Sequence, residues 1–230
     1  MGLEIDFKNE LENAIKNYSF PAVVYDFECK REINANSMLE VESYIKSKLT
    51  SNMIQEVKDG LSNVLYWGYA NIGYGCKRID NFRNNVLDKQ IEDFKRLNNN
   101  NNIDLIKVKN LNMPEYSGVS FISKIMMFLD PNNYCVLDKQ IAKISICTKV
   151  GALGKLKYKG ETQVRVTREN QDAYEKWCEE CKLISKDIFK NKYRAVDIER
   201  GFFVLVQKDS CLAKEIYENI VIHLQRDMVK

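Results

Sequence analysis

A mainly α-helical fold follows from three features of the sequence. Only three prolines and ten glycines punctuate its 230 residues, so long stretches lack helix breakers. Apolar residues recur at helical spacing along most of the chain. A period of two, the mark of a strand, is confined to residues 155–167, which predict one small β-hairpin.

The elements follow in order. Phe7, Leu11, Ala14, Ile15 and Tyr18 share a helical face that stops before Pro21. Residues 35–49 and 53–69 predict two further helices. Asn81 to Leu97 predicts one more, with Phe82, Val86, Ile91 and Phe94 on its inner face. The asparagines from Asn98 to Asn102 read as a polar loop with no function of their own. Asp104 to Lys109 predicts a short helix with an acidic residue at its start, which suits the helix dipole. A turn from Asn112 to Val119 leads into a helix whose apolar stripe is Val119, Ile122, Met126 and Leu129. Asp130-Pro131-Asn132-Asn133 ends it, and Tyr134 to Leu137 form an apolar approach to Asp138, where a new helix begins.

In the predicted hairpin Leu156, Tyr158, Val164 and Val166 alternate with Lys155, Lys157, Lys159 and Arg165, around Gly160-Glu161. One face is apolar and the other basic. Asn170 to Phe189 and Ala195 to Val206 read as helices, and Leu212, Ile216, Ile220 and Leu224 set the stripe of the last. With no repeat and no Ser/Gly-rich linker, residues 1–230 read as a single compact helical unit.

Composition excludes several classes. The formal net charge of +3 fits neither a basic nucleic-acid tail nor an acidic disordered chain. No apolar run approaches the roughly 20 residues of a membrane helix. The N-terminus has no signal-peptide pattern, and the seven scattered cysteines suit reduced thiols, so a cytoplasmic location is expected. Cys178 and Cys181 have CxxC spacing but lack a second pair, so they read as helix-borne thiols, and no metal or cofactor is expected.

The stretch from Asp104 to Ile144 carries the chemistry. It reads helix, Met113-Pro114-Glu115-Tyr116-Ser117-Gly118-Val119-Ser120 turn, apolar helix, Asp130-Pro131 break, and Val136-Leu137-Asp138. Over these residues the chain resembles the helix–hairpin–helix DNA glycosylase superfamily. Tyr66-Trp67-Gly68 and Val196-Asp197-Ile198-Glu199-Arg200 are similar to its small members of the 8-oxoguanine type. The resemblance implies a mainly α, glycosylase-like fold whose hairpin grips a DNA backbone, often with a monovalent cation. It implies a carboxylate at Asp138 that stabilises an oxocarbenium-like sugar and orients water. The hairpin departs from the family in holding one glycine rather than two, and Glu115 and Tyr116 enlarge it.

The residues give their own reasons. A turn into a helix start presents backbone N–H groups to an anion, and Gly118 lets a phosphate come close. Ser117, Gly118 and Val119 are therefore the expected backbone contacts. Asp138 stands beside apolar residues, where a charge acts strongly, but an aspartate before a helix is also a common N-cap. Both roles stay open. The resemblance places a nucleophilic lysine at position 120, where this chain has Ser120, so base removal by water is expected, while Lys124, one turn on, would be the nucleophile if the longer hairpin shifts the register. Otherwise Lys124 reads as a solvated or phosphate-contacting side chain.

Base flipping needs a flat apolar pocket. Tyr66, Trp67, Tyr69 and Tyr74 cluster around Gly68, Gly73 and Gly75, with Trp67 and Tyr74 as the stacking candidates or else ordinary core aromatics. His223, the one histidine, reads as a packed core or interface residue. From Lys139 to Arg168 the sequence carries eight basic residues and one acidic residue, Glu161. Lys139, Lys143, Lys155, Lys157, Lys159 and Arg165 are the expected phosphate contacts, although lysines also protect an exposed hairpin edge. The expected partner is double-stranded DNA, bound by a monomer that is not membrane-associated. The expected activity is excision of an oxidised or alkylated purine, first of the 8-oxoguanine type. A catalytically inactive DNA-binding or protein-interaction module on the same scaffold is the alternative, and a helical interaction protein without nucleic acid is a third.

Overall fold

The computed structural model describes residues 6–70, 75–159 and 163–227, which hold eleven α-helices and two antiparallel two-stranded hairpins. The mainly α class is as expected. The division of the chain differs from the single unit read in the sequence. The described residues of Met1–Ser19 and Asp130–Lys230 form one compact unit, and Phe20–Leu129 forms another. The chain crosses between Ser19 and Phe20 and between Leu129 and Asp130, neither of which has the composition of a linker. No described helix is long and apolar enough to cross a membrane.

The unit of residues 20–129 opens with a hairpin that was not expected. Strands β1 (Val23–Asp26) and β2 (Arg31–Asn34) pair antiparallel, Val24 opposite Ile33. Strands of four residues are too short to show a period. This one is fixed by a buried asparagine: Asn63 Oδ1 accepts from Tyr25 N at 2.6 Å and Asn63 Nδ2 donates to Tyr25 O at 3.0 Å. Helix α2 (Met38–Leu49) is capped by Ser37 and is followed by α3 (Ile54–Gly68). The helix expected from Asn81 to Leu97 is two, α4 (Gly75–Asn85) and α5 (Asp88–Asn99). Leu87 is extended between them, and Gln90 Oε1 accepts from Leu87 N at 2.9 Å, which starts the second. The predicted inner face survives the break, since Phe82, Val86, Ile91 and Phe94 are all buried. Asn101, at φ 49°, lies in the left-handed region within the asparagine run.

Asp104 caps α6 (Leu105–Asn110), its side chain accepting from Lys107 N at 2.8 Å. Helix α7 (Val119–Leu129) is buried on more than the expected stripe, since Ile125, Met127 and Phe128 are buried too. It packs on α2 and α3, and a Cβ at Gly68 would stand 2.6 Å from the Phe121 ring.

In the other unit, α1 (Phe7–Lys16) lies against α10 (Ala195–Lys208). The approach needs Gly201, because a Cβ there would meet Ile15 Cγ1 and Leu11 Cδ1 at 2.7 Å. Helices α8 (Lys139–Cys147), α9 (Arg168–Leu183, widening into a π turn at Ile184–Ile188) and α11 (Ser210–Asp227) complete it. Its core centres on Trp177, Phe202 and Tyr217, with ring centroids 5.8–5.9 Å apart. Cys178 and Cys181 are buried thiols of α9, their pKa values raised by burial. The predicted basic hairpin is present as β3 (Tyr158–Lys159) and β4 (Gln163–Val164), Tyr158 opposite Val164. Gly160 and Glu161 lie outside the described residues.

Candidate carboxylate site and nucleic-acid interface

The approach to Asp138 is clamped from α9. Tyr174 Oη donates to Cys135 O at 3.0 Å, Trp177 Nε1 donates to Val136 O at 3.2 Å, and Cys135 N donates to Cys178 Sγ at 3.4 Å. Cys135, Val136 and Leu137 are buried, as their apolar character predicts. Asp138 then caps α8. Its Oδ1 accepts from Gln140 N at 2.8 Å and from Ile141 N at 3.2 Å. The capping role is therefore real, and it also fixes the carboxylate in one orientation.

Asp138 has polar company that its local sequence does not announce. Burial pushes the Tyr18 hydroxyl far above its usual pKa, against the pull of Arg200, and the negative charges of Glu199 and Asp138 push the same way. The Arg200 guanidinium lies 5.0 Å from the Tyr18 ring centroid. Glu199 and Arg200 are both buried. The signal was a pair of adjacent opposite charges just before the apolar run of residues 202–206 in the same helix. Nothing in the local pattern ties Tyr18, 120 positions away in the chain, to Asp138.

The basic ribbon belongs to the same neighbourhood. Tyr158 Oη donates to Ala142 O at 2.9 Å, which fastens the hairpin to α8. Asn170 is buried and ties both strands: Lys157 N donates to its Oδ1, and its Nδ2 donates to Lys157 O and Arg165 O, each at 2.8 Å. Leu156 and Val166 point inward and are buried, while Lys155, Lys157, Lys159 and Arg165 are exposed. Lys139 is exposed and Lys143 half-buried.

The 112–118 turn belongs to the unit of residues 20–129. Glu115, at φ 68°, is turned away from solvent, with Oε2 taking Arg78 Nη1 at 3.0 Å and Oε1 taking Asn81 Nδ2 at 2.5 Å. Its charge is thereby countered by an arginine. Tyr116 is a core anchor, with no exposed surface and its hydroxyl donating to Leu61 O at 2.5 Å. Gly118 does not sit at a positive φ, and a Cβ there would meet nothing within 4 Å. Neither backbone conformation nor packing demands glycine at this point. Val119 is fully buried, so its side chain is not a DNA contact and only its backbone remains one; Ser117 is exposed. The carbonyls of Leu111 and Asn112 both accept from Gln90 Nε2 at 2.9 Å, and that of Met113 accepts from Tyr116 N at 3.2 Å.

Ser120 and Lys124 meet. Lys124 Nζ lies 3.1 Å from Ser120 Oγ, to which it donates, and 3.3 Å from Ser120 O. Lys124 is not solvated as the sequence suggested but only 5% exposed, its stem over Gly68 and its ammonium 5.2 Å from the Phe121 ring centroid. Helix α7 is buried around most of its circumference, so its one lysine must fold back on itself.

Two aromatic assignments change. Trp67 is core, 3% exposed, between Phe20 at 4.8 Å and Phe128 at 5.0 Å. It is not available for stacking on a base. Tyr74 lies outside the described residues. His223 is exposed on α11 rather than packed. No family model matches the chain, and no curated protein or solved structure matches it.

Proposed function

We propose that the protein is a DNA N-glycosylase that hydrolyses the bond between a damaged purine and its sugar, with Asp138 as the catalytic carboxylate. The observation that carries the reading lies in one unit: a carboxylate fixed by two backbone amides, within electrostatic reach of the half-buried Tyr18, at the head of a helix that carries a basic ribbon. Cleavage of the glycosidic bond leaves positive charge on the sugar. A fixed carboxylate stabilises that charge without reorganising. Water then bonds to the anomeric carbon as the bond to nitrogen breaks, and its proton passes to the carboxylate or departs with the base. The exposed lysines of the ribbon supply phosphate contacts. Gly118, which the fold itself does not require, supplies a second place where a backbone can approach closely. Lys124 is held by Ser120 within its own helix, which favours water over the amine as nucleophile.

The test is release of free base from duplexes carrying oxidised or alkylated purines, 8-oxoguanine first. Wild type releases base from at least one of them and Asp138→Asn does not. A second reading is favoured by one observation, that Asp138 already serves as a cap. It makes the protein a DNA-binding module without turnover, and it predicts salt-sensitive binding with no base release by either protein.

A further inference from the structure

A pocket of about 320 Å³ opens in the unit of residues 20–129, between the β1–β2 hairpin and helices α3 and α4. It lies at the small end of the range for ligand sites, roughly 300–1,000 Å³. Its walls are Tyr25, Phe27 and Tyr66, with Tyr25 5.0 Å from Phe27 and 5.3 Å from Tyr66 between ring centroids. The buried side chain of Ile79 makes an apolar floor.

The polar groups at this pocket are of two kinds. Arg83 is committed: its guanidinium lies 4.0 Å from the Phe27 ring centroid and donates to Asp59 at 2.7 Å and to Ser62 at 3.1 Å. It stiffens the wall and has its charge balanced. Lys30 and Asp80, by contrast, are exposed charges of opposite sign that line the pocket, and no ion pair joins them. Lys30 also sits at φ 52°, in the left-handed region where glycine or asparagine is the cheaper occupant. The turn that holds it there is built by Asp26, whose Oδ1 accepts from Glu28 N at 3.0 Å and from Cys29 N at 2.9 Å. A strained backbone that presents an ammonium at the edge of an aromatic pocket is a reason to look for an anionic ligand.

We propose that this pocket binds a single unstacked nucleotide. The base stacks against the tyrosine and phenylalanine rings, as bases do on aromatic side chains. The phosphate is met by Lys30, and Asp80 accepts from an amino group on the base, which favours guanine, adenine or cytosine over thymine. A cationic ligand suits the rings equally well but not the ammonium of Lys30 at the same pocket. The nucleotide is either a free mononucleotide or one residue of a single strand, and both present the same chemistry. The inference stands apart from the glycosylase reading, since it uses none of the residues proposed for that reaction.

The test is calorimetric titration of the full chain with deoxyguanosine and deoxycytidine 5′-monophosphates, with the corresponding nucleosides, and with a short single-stranded oligonucleotide. Lys30→Gly is the informative variant, because it removes the ammonium and relieves the backbone, so folding is preserved. It is expected to weaken mononucleotide binding roughly tenfold, the value of one charge-assisted contact, and to leave nucleoside binding unchanged. Tyr66→Leu is expected to weaken both about tenfold. If only the oligonucleotide binds, with the same response to Lys30→Gly, the source is a strand. Absence of saturable binding to all three probes, or binding that ignores both variants, overturns the proposal.

Discussion

Asp138 does two things at one residue, and the two separate by substitution. As a cap it satisfies two backbone donors of α8. Replacement by alanine removes that and costs about 1 kcal/mol of stability, whereas asparagine retains most of it. A thermal denaturation series is expected to rank wild type close to Asp138→Asn and both above Asp138→Ala. Equal stability of all three would mean that the cap contributes nothing. Lys124 is tested just as directly. Borohydride is expected to trap no covalent complex with lesion DNA, and a trapped complex lost in Lys124→Met would make this lysine a nucleophile and the protein a lyase as well.

Glu12 gives a pH signature at the same scale. Its carboxylate takes Lys192 Nζ at 2.6 Å and Tyr193 Oη at 2.8 Å, and these hydrogen bonds lower its pKa from 4.5 to about 2. A carboxylate with a depressed folded pKa stabilises fully above its unfolded pKa and loses that contribution as pH falls through the folded one. The melting temperature of wild type should therefore fall between pH 4.5 and 2 more steeply than that of Glu12→Gln. Parallel curves would show that the contact does not contribute.

At the scale of elements, each hairpin depends on one buried asparagine that substitutes for a third strand. Asn63 pairs with both backbone groups of Tyr25, and Asn170 joins Lys157 to Arg165. Asn170→Leu leaves these backbone groups without their partners and is expected to cost about 1–3 kcal/mol, with loss of hydrogen-exchange protection confined first to β3 and β4. The second hairpin was legible in the sequence because Leu156, Tyr158, Val164 and Val166 alternate with basic residues over a dozen positions. The first was not, because Val23-Val24-Tyr25 completes no second period and its asparagine lies 38 residues away. The helices show the same limit. Periodicity gave the inner face of Phe82, Val86, Ile91 and Phe94, yet not the break at Leu87, which a Gln90 side chain produces without proline or glycine. Trp67 had the composition of a stacking residue, and only packing shows it to be core.

At the scale of the molecule, the charge distribution carries more than the net charge. Much of the basic excess lies on α8 and on the ribbon fastened to it, which is where the sequence placed it. What the sequence did not show was the company of Asp138, because Tyr18 comes within its electrostatic reach only through tertiary packing. Phosphate contacts release counterions, so binding to duplex DNA should weaken steeply with salt. Replacing Lys157, Lys159 and Arg165 by glutamine is expected to flatten the plot of log affinity against log salt by about 0.9 for each phosphate contact removed. An unchanged slope would make the ribbon a solvated edge.

The central claim is that the Asp138 carboxylate acts on the sugar. The direct measurement is the single-turnover rate of base release from a lesion duplex at saturating protein, compared between wild type and Asp138→Asn. The account predicts a fall of roughly a hundredfold or more with DNA affinity and melting temperature preserved. Equal rates in the two proteins would contradict it.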